Sequence, residues 1–468
     1  MPSMNQKKFV EQFKYALESN FTSPSGEPAL LAPDHPKKWG QERARIQLDG
    51  EAKEMTLSPD KRFVAVSIEK EIHVFDVAGE ARAEVLKGHV GIVDDIKFAP
   101  GLFDSNGARY MLASGSGGYG DEQMVILWEL DENGKLISRE SEKTLDVDAL
   151  TAKALQPLIS ELADSHGWNP AGKAITTLEE DVRNALRNAI AIHEQEDKHC
   201  LAGELASFGS PAFGPDGKTL IYLTQNHSTQ EETREAASLP CVNIWDVQSK
   251  SLRHQLRGHT DSIMWAATSP DNKLIASIAW DGTARIWDAS SGECLHILGP
   301  FNGQLWSGAF SPDSTHLAIS QGSPNTHLHV YNIHTGTSVS CFDEFERWAR
   351  SISWSQDGSM LAGAGEGGTL YVWDPYTGVE KMRRSLALDD PMMSRFAGIS
   401  GVQFVDGGRK LVFQIRDGTV EVYDFEKNVK QLFLREGEKC PRAGVVCSAD
   451  SRMLVASGGD ILRVWDLD

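Results

Sequence analysis

The sequence predicts an all-β fold built from one repeated unit of short strands. The same phrase recurs along the chain: an apolar strand ending near Ser-Pro-Asp, a turn, a strand reading Leu-x-Ala-Ser, a second turn, and an alternating strand that closes on an aromatic residue followed by Asp, Glu or Asn. All but one of the spacings between successive closures lie between 42 and 53 residues. A composition of 40% apolar and 24% charged residues is that of an ordinary globular protein. A period of this length is typical of repeats that share their cores with their neighbours.

Eight closures define eight repeats, and the fullest copy occupies residues 258–288. The closures are Phe75-Asp76, Trp128-Glu129, Trp245-Asp246, Trp287-Asp288, Tyr331-Asn332, Trp373-Asp374, Tyr423-Asp424 and Trp465-Asp466. This phrase resembles the WD40 repeat, whose Gly-His and Trp-Asp signatures each mark one four-stranded blade of a β-propeller. Gly-His pairs stand at Gly88-His89 and Gly258-His259. The resemblance covers roughly residues 44–468, less one insertion, and implies a WD40 β-propeller.

In the fullest repeat the resemblance also implies a structural tetrad of hydrogen-bonded side chains. Its members are His259, Ser277, Asp281 and Trp287. Such polar groups satisfy one another inside the blade, so we assign them no ligand.

The number of repeats predicts eight blades, with seven as the alternative if one degenerate repeat is an insertion. The eighth repeat stops at Val-Trp-Asp-Leu-Asp, after its third strand, which leaves an edge that another strand should fill. Residues 44–50 have the pattern of an outer strand without inner strands of their own. We therefore expect this N-terminal strand to complete the last blade.

The 117 residues between Trp128 and Trp245 exceed the length of one blade. Two stretches within them carry apolar residues at helical spacing, which predicts a helical hairpin inserted at residues 144–203, between blades 2 and 3. Residues 136–141 read as the outer strand that precedes it, and a shorter insertion occupies residues 225–239. We expect both insertions on one face of the ring, where the hairpin either packs on the propeller or docks a partner.

Residues 1–43 form a separate extension. Apolar residues from Phe9 to Phe21 recur at helical spacing, and a Pro-rich segment at residues 23–36 reads as a linker. This N-terminal helix either packs on the propeller or binds a partner groove.

Charge and cysteine usage narrow the classes of partner. Lys and Arg number 46 and Asp and Glu 66, a formal net charge of −20, which excludes nucleic acid as the principal ligand. An acidic surface favours a basic partner, although negative charge also keeps proteins in solution.

The six cysteines show no disulfide or zinc-finger spacing, no apolar run approaches a membrane span, and the first residues lack a signal-peptide pattern. These features predict a cytoplasmic or nuclear location and no membrane partner.

The sequence contains no motif for catalysis or for a cofactor. Nucleophile elbows, phosphate-binding loops and His-Glu-x-x-His are absent, and the Gly-rich run at residues 113–120 lies between two strands, as a turn does. His327 and His329 alternate on one strand with His334 nearby, but the sequence offers no obvious third ligand. We expect no cofactor, no metal and no enzymatic activity.

Two positions of each WD40 repeat are, by resemblance, exposed on the recognition face: the start of the innermost strand and the residue before the tetrad Asp. The first class comprises Gln304, Trp306, Trp348, Arg350, Ser262, Met264 and Ile92, and the second comprises Trp280, Glu366 and Arg416. Their content of Trp and Arg is typical of binding hot spots. A register shifted by one residue would instead bury these side chains between the blades.

The resulting hypothesis is a non-enzymatic WD40 scaffold that binds a protein or peptide segment. An acidic chaperone for a basic client, such as a ribosomal protein or a histone, is the first alternative. A propeller enzyme with an unrecognised site is the second. A role as a subunit of a larger complex is compatible with the scaffold.

Overall fold

The computed structural model describes residues 21–22, 27–33, 37–38, 42–103, 108–117, 123–137, 200–225, 239–343, 345, 348–365, 368–384, 398–415, 420–434, 445–448 and 452–467. Within these ranges the chain forms strands and one 3-10 turn, Asp406–Gly408, and no α-helix. The described residues include no helix with the length and hydropathy of a membrane span. The predicted hairpin helices lie outside the described residues, as does the predicted N-terminal helix up to residue 20.

The strands are numbered in chain order. Those before the first blade are β1 (Phe21–Thr22), β2 (Leu30–Leu31), β3 (Lys37–Lys38) and β4 (Ala44–Gln47). Blade 1 contains β5 (Met55–Leu57), β6 (Phe63–Ile68), β7 (Glu71–Asp76) and β8 (Ala81–Lys87). Blade 2 contains β9 (Val93–Phe98), β10 (Tyr110–Ser116), β11 (Met124–Leu130) and β12 (Cys200–Ala202). Blade 3 contains β13 (Thr219–Thr224), β14 (Cys241–Asp246) and β15 (Ser251–Arg257).

The other five blades follow the same order from the centre outward. Blade 4 contains β16 (Ile263–Thr268), β17 (Leu274–Ala279), β18 (Ala284–Asp288) and β19 (Cys294–Leu298). Blade 5 contains β20 (Gly303–Phe310), β21 (His316–Pro324), β22 (His327–Asn332) and β23 (Thr337–Phe342). Blade 6 contains β24 (Ala349–Trp354), β25 (Leu361–Gly365), β26 (Leu370–Trp373) and β27 (Glu380–Arg384). Blades 7 and 8 contain β28 (Ile399–Val405), β29 (Lys410–Ile415), β30 (Val420–Asp424), β31 (Val429–Leu434), β32 (Val445–Cys447), β33 (Met453–Gly458) and β34 (Ile461–Asp466).

Apolar packing between neighbouring blades closes the sheets into a ring. Each of eight buried clusters draws its residues from two adjacent blades, and together they join blade 1 to 2, 2 to 3, and so on to 8 and back to 1. The second strands of blades 1, 2 and 4 are buried at every position, because neighbours cover both faces of their sheets. The prediction of an eight-bladed, all-β propeller is confirmed, and the seven-bladed alternative is wrong.

The outer strand of blade 8 comes from the segment before blade 1. Strand β4 pairs antiparallel with β34, with Ala44 opposite Val464 and Gln47 opposite Ile461. Ala44 and Ile46 are buried in the cluster between blades 8 and 1, whereas Arg45 faces solvent. This alternation matches the pleat of a strand that has one face on a core.

The rest of the described N-terminal extension lies along the outside of blades 6 and 7. Strand β1 pairs antiparallel with β27, and strands β2 and β3 pair in parallel with β31. Phe21, expected as the last apolar residue of a helix, thus lies in a strand, and the expected linker contains the paired residues Leu30–Leu31. Outer strands present unpaired backbone groups, so an extended segment can hydrogen-bond to them even without a strand-like sequence.

The long insertion belongs to blade 2. Leu136 forms a bridge with Leu130, and Cys200–Ala202 pairs with the other end of the same strand, β11. The outer strand therefore starts before the insertion and resumes after it, and the prediction of an insertion between blades 2 and 3 is wrong. The second insertion joins β13 to β14 within blade 3, so the two do not leave the ring from equivalent connections. A three-residue strand such as β12 is too short to show a period, which is why spacing alone misplaced the insertion.

We expect Ile46→Ala to lower the free energy of unfolding by about 2–5 kcal/mol, because it opens a cavity where the last blade meets the first. Thermal and urea unfolding measure the change. Arg45→Ala is the matched control on the exposed side of the same strand and should change stability by less than about 0.5 kcal/mol. Equal effects of the two substitutions would contradict the placement of β4.

Candidate partner-binding site

Three tryptophans from three blades meet in one aromatic cluster. The Trp306 ring stacks on Trp348 with centroids 4.6 Å apart and planes 20° apart. Trp280 meets Trp306 edge to face at 5.2 Å, and Phe208 does so at 5.4 Å. These separations lie in the range at which aromatic pairs attract each other beyond simple burial. We call Phe208, Trp280, Trp306, Trp348 and Arg350 the tryptophan cluster.

Arg350 holds a positive charge against these rings. Its guanidinium carbon lies 5.3 Å from the ring centroids of Trp306 and Trp348 and 5.8 Å from that of Phe208. Cations are attracted to aromatic faces at such distances. Phe208 belongs to blade 3 and Arg350 to blade 6, so this contact joins blades that are not neighbours. The cluster therefore spans part of the opening at the centre of the ring.

The cluster is partly accessible. Trp306 is only 7% exposed, whereas Trp280, Trp348, Arg350 and Phe208 are half-buried. The indole N–H groups of Trp280 and Trp306 are buried and have no hydrogen-bond partner within the described part of the chain. The cluster thus presents aromatic faces and a guanidinium, which suits a ligand with apolar groups and a hydrogen-bond acceptor.

Local backbone geometry brings Phe208 and Trp306 to the centre. Phe208 and the following Gly209 have φ of 54° and 77°, and the innermost segment of blade 3 forms only the isolated bridges Glu204–Leu223 and Phe213–Leu220. The chain turns there in a way that a regular strand cannot, and this turn carries Phe208 inward. Gly322 gives Trp306 its space, because a Cβ at that position would lie 2.5 Å from the indole nitrogen.

Four of the ten expected positions, Trp280, Trp306, Trp348 and Arg350, belong to the tryptophan cluster, and the Ser262 carbonyl oxygen accepts a hydrogen bond from the Trp280 backbone N–H at 2.9 Å. Gln304 is exposed on β20, and Ser262 and Met264 are half-buried at the start of β16. Ile92, 47% exposed, precedes β9 in blade 2. Glu366 and Arg416 lie outside the described residues. Phe208 was missed because blade 3 has no regular innermost strand in which the family position could be counted.

The side chains of the expected tetrad in blade 4 form one hydrogen-bonded chain. His259 Nδ1 lies 2.8 Å from Asp281 Oδ2, and His259 Nε2 lies 2.8 Å from Ser277 Oγ. The Trp287 indole donates to the same Ser277 oxygen at 2.9 Å. His259, Ser277 and Trp287 are almost fully buried, so their polar atoms are satisfied inside the blade.

Blade 2 contains a related network that sequence reasoning missed. His89 Nε2 and the Trp128 indole both contact Ser114 Oγ, at 2.6 and 2.7 Å, and His89 Nδ1 lies 2.8 Å from Ser116 Oγ. Ser116 thus contacts the same ring nitrogen of His89 that Asp281 contacts on His259 in blade 4. Burial lowers the pKa of His89 to about 4, and the charge of Asp94 opposes this shift only in part. The Gly88-His89 pair is the sequence feature from which this network could have been predicted.

The family model for "WD domain, G-beta repeat" matches residues 250–288 and 325–374. These ranges include the third strands of blades 4, 5 and 6 and the tetrad residue Trp287. The chain is a WD40-repeat propeller. The degenerate blades of this WD40 propeller, such as blade 1 with Phe75, keep the four-stranded form without the Trp.

Curated relatives of this WD40 propeller perform diverse roles. The chain is 30% identical over 139 residues to the small ribosomal subunit protein RACK1y of Oryza sativa subsp. japonica, a match that covers 28% of this chain and 40% of that protein. It is 25% identical over 185 residues to the target of rapamycin complex subunit wat1 of Schizosaccharomyces pombe, covering 39% and 55%. The matches span less than two thirds of either relative, and they indicate no particular subfamily.

A solved structure supports the same architecture over most of the chain. Chaetomium thermophilum Sqt1, bound to the N-terminus of the ribosomal protein L10, superposes with a TM-score of 0.59 at 14% identity. The match covers 91% of this chain and 99% of that one. At this level of identity the likeness concerns the fold alone.

We expect Asp281→Asn to destabilise the WD40 propeller by about 1–2 kcal/mol at neutral pH. Burial alone would raise the pKa of the Asp281 carboxyl, but hydrogen bonds and charge from His259, with Thr283 and Thr260, hold it at about 2. A carboxyl with a lowered pKa stabilises the fold fully above its unfolded value near 3.8, and this contribution is lost as the pH falls through about 2.

Urea unfolding of both proteins between pH 7 and pH 2.5 measures the effect. The gap in stability between wild type and Asp281→Asn should be largest above about pH 4 and shrink towards acid. Asp216→Asn, which replaces an exposed carboxyl, is the control. Its free energy of unfolding should differ little from that of the wild type. A gap for Asp281→Asn that stays constant with pH would show that the carboxylate charge does not stabilise the tetrad.

Proposed function

We propose that this WD40 propeller is a non-enzymatic scaffold or adaptor that holds a peptide or protein segment at the tryptophan cluster. The observation that carries the proposal is the convergence of Phe208, Trp280, Trp306, Trp348 and Arg350 from four successive blades. Trp and Arg contribute most to binding where a partner can desolvate them. WD40 propellers are generally platforms for protein interaction, which supports the same conclusion.

The tryptophan cluster is separate from the apolar clusters that pack neighbouring blades together. The rings of the cluster, Phe208, Trp280, Trp306 and Trp348, belong to none of the eight apolar clusters that join neighbouring blades. Phe208, Trp280 and Trp348 are only half-buried, so part of their aromatic surface remains for an external ligand. This observation favours binding over the alternative that these side chains are core.

The groups of the cluster suit binding better than catalysis. An indole N–H only donates a hydrogen bond, and a guanidinium only donates and keeps its charge. Neither can act as a nucleophile or as a general base at neutral pH. The ligand that complements them carries an apolar or aromatic side chain for the tryptophans and a carbonyl or carboxylate oxygen for Arg350.

The relatives support a place within larger assemblies. Their names describe a protein of the small ribosomal subunit and a subunit of the target of rapamycin complex. We propose by analogy that this chain too acts as a subunit or adaptor of a complex in the cytoplasm or nucleus.

We expect Trp348→Ala combined with Arg350→Ala to weaken binding of the partner at least tenfold, about 1.4 kcal/mol. Tagged wild-type and variant proteins, purified in parallel, identify by mass spectrometry the partner that the variant loses. Calorimetry with the recombinant partner then gives both dissociation constants.

The matched control for this experiment is Tyr376→Ala, which removes an aromatic ring that is 44% exposed on blade 6 but outside the tryptophan cluster. This control should bind with unchanged affinity. Unfolding curves of all three proteins show whether the ring is intact. Recovery of the same partners with the same affinity by the cluster variant would place the interaction elsewhere.

An acidic chaperone for a basic client is the second candidate. The formal charge of −20 favours it, and the similar propeller Sqt1 is bound to a segment of a ribosomal protein. Near the inner edge of blades 1 and 2, burial, and next the charge of Asp95, raise the pKa of Glu54 to about 7. A cationic segment near Glu54 would favour its ionised form.

For a basic client we expect the association rate to fall at least tenfold between 50 and 200 mM salt, because screening weakens electrostatic steering. Stopped-flow measurements with the identified partner test this expectation. An association rate that does not depend on salt would reject the chaperone hypothesis. It would leave the scaffold hypothesis, in which the contacts at the tryptophan cluster are mainly apolar.

A further inference from the structure

Three side chains with metal-binding atoms lie together on blade 5. One ring nitrogen each of His327 and His329 and the sulfur of Cys341 are all within 4.8 Å of one another. His327 and His329 alternate on β22 and so share a face, and Cys341 lies directly opposite His329 on β23. Side chains that face each other across an antiparallel pair are close enough to bind one ion.

A buried hydrogen-bond network orients one of the two histidines. Gln321, which is 3% exposed, donates from Nε2 to the Asn302 carbonyl oxygen at 2.8 Å. This bond fixes the orientation of the amide, so Gln321 Oε1 faces His329 Nε2 at 2.9 Å. An amide oxygen can only accept, so His329 Nε2 carries the proton and Nδ1 keeps a lone pair. The Phe301 ring, 4.8 Å away, packs against the imidazole.

Histidines that bind metals usually donate their other ring N–H to an oxygen in this way, which fixes the tautomer and the orientation of the ring. Gln321 therefore fixes the tautomer and the ring orientation of His329, as the outer hydrogen-bond partner of a metal-binding histidine does. The arrangement differs from that of two solvated histidines on a strand, which have no buried acceptor to orient them.

We propose that His327, His329 and Cys341 form a zinc-binding site on blade 5. Two imidazoles and one thiolate suit Zn²⁺, which binds nitrogen at about 2.0–2.1 Å and sulfur at about 2.3 Å in tetrahedral geometry. Three protein ligands leave a fourth position for water or for a side chain of a bound partner. The site is separate from the tryptophan cluster, and the proposal of a zinc site does not depend on the proposed function.

Cobalt titration of the full-length chain tests the site, because Co²⁺ replaces Zn²⁺ and reports its ligands in the absorption spectrum. We expect one equivalent to give a thiolate-to-cobalt charge-transfer band and the intense visible bands of tetrahedral cobalt, and one equivalent of Zn²⁺ to displace it. Cys341→Ser should abolish the charge-transfer band. His327→Ala and His329→Ala should each weaken binding at least a hundredfold, and Gln321→Leu tenfold to a hundredfold.

Two matched variants serve as controls. Cys294→Ser removes another exposed cysteine, in blade 4, and His334→Ala removes the exposed histidine after β22. Both should bind cobalt as the wild type does, and thermal unfolding verifies that every variant is folded. A charge-transfer band that survives Cys341→Ser, a band that Cys294→Ser also abolishes, or binding only at millimolar cobalt would overturn the proposal.

Zinc content after dialysis gives a readout that needs no spectrum. The wild type, Cys294→Ser and His334→Ala should each retain about one zinc per chain, and Cys341→Ser should retain little. Wild-type protein that loses its zinc on dialysis would reject the site.

Discussion

Every blade of this propeller depends on its two neighbours to cover the faces of its sheet. The second strands of blades 1, 2 and 4 are buried at all positions, and each apolar cluster draws on two adjacent blades. A single blade would expose both faces, which no four-stranded sheet of this size can tolerate in water. Closure of the ring is therefore the condition under which all the blades are stable together.

The closed ring also fixes the relative positions of the side chains in the candidate site. Trp280, Trp306, Trp348 and Arg350 lie on or beside the strands of blades 4, 5 and 6, so their relative positions follow from how the blades pack. Sites built on rigid elements are held more precisely than sites on long loops. The stacking of Trp306 on Trp348 is an example, since it links the innermost strand of blade 5 to the start of that of blade 6.

The architecture could be predicted because one local signal occurs once in each blade. The third strand must alternate between two environments and end in a polar turn, so a closure such as Tyr331-Asn332 is recognisable even where Gly-His is missing. Strands as short as Leu30–Leu31 and Cys200–Ala202 carry no period, because their partner is determined by an open sheet edge far away in the sequence. The described N-terminal strands beside blades 6 and 7 were for this reason not foreseen.

The same distinction applies to the sites. Trp280, Trp306, Trp348 and Arg350 occupy positions that can be counted within a regular repeat. Phe208 lies in an irregular segment with a positive φ, where counting fails.

Cys341 illustrates the other limit. It becomes a neighbour of His329 only through the register of β22 with β23, and a sequence search around the histidines does not reveal it. Contacts between strands, rather than residue types, decide such groupings.

The pairing of β4 with β34 has a consequence for how the chain folds during its synthesis. Strand β4 leaves the ribosome before any blade, and its partner β34 is the last of the eight third strands to be made. Until then β4 has no edge to join, and blade 1 lacks the neighbour that covers one of its faces. Contacts between such distant segments form slowly, and domains otherwise fold from the N-terminal side as they emerge. The emerging chain thus exposes the apolar face of blade 1 until the last blade is complete.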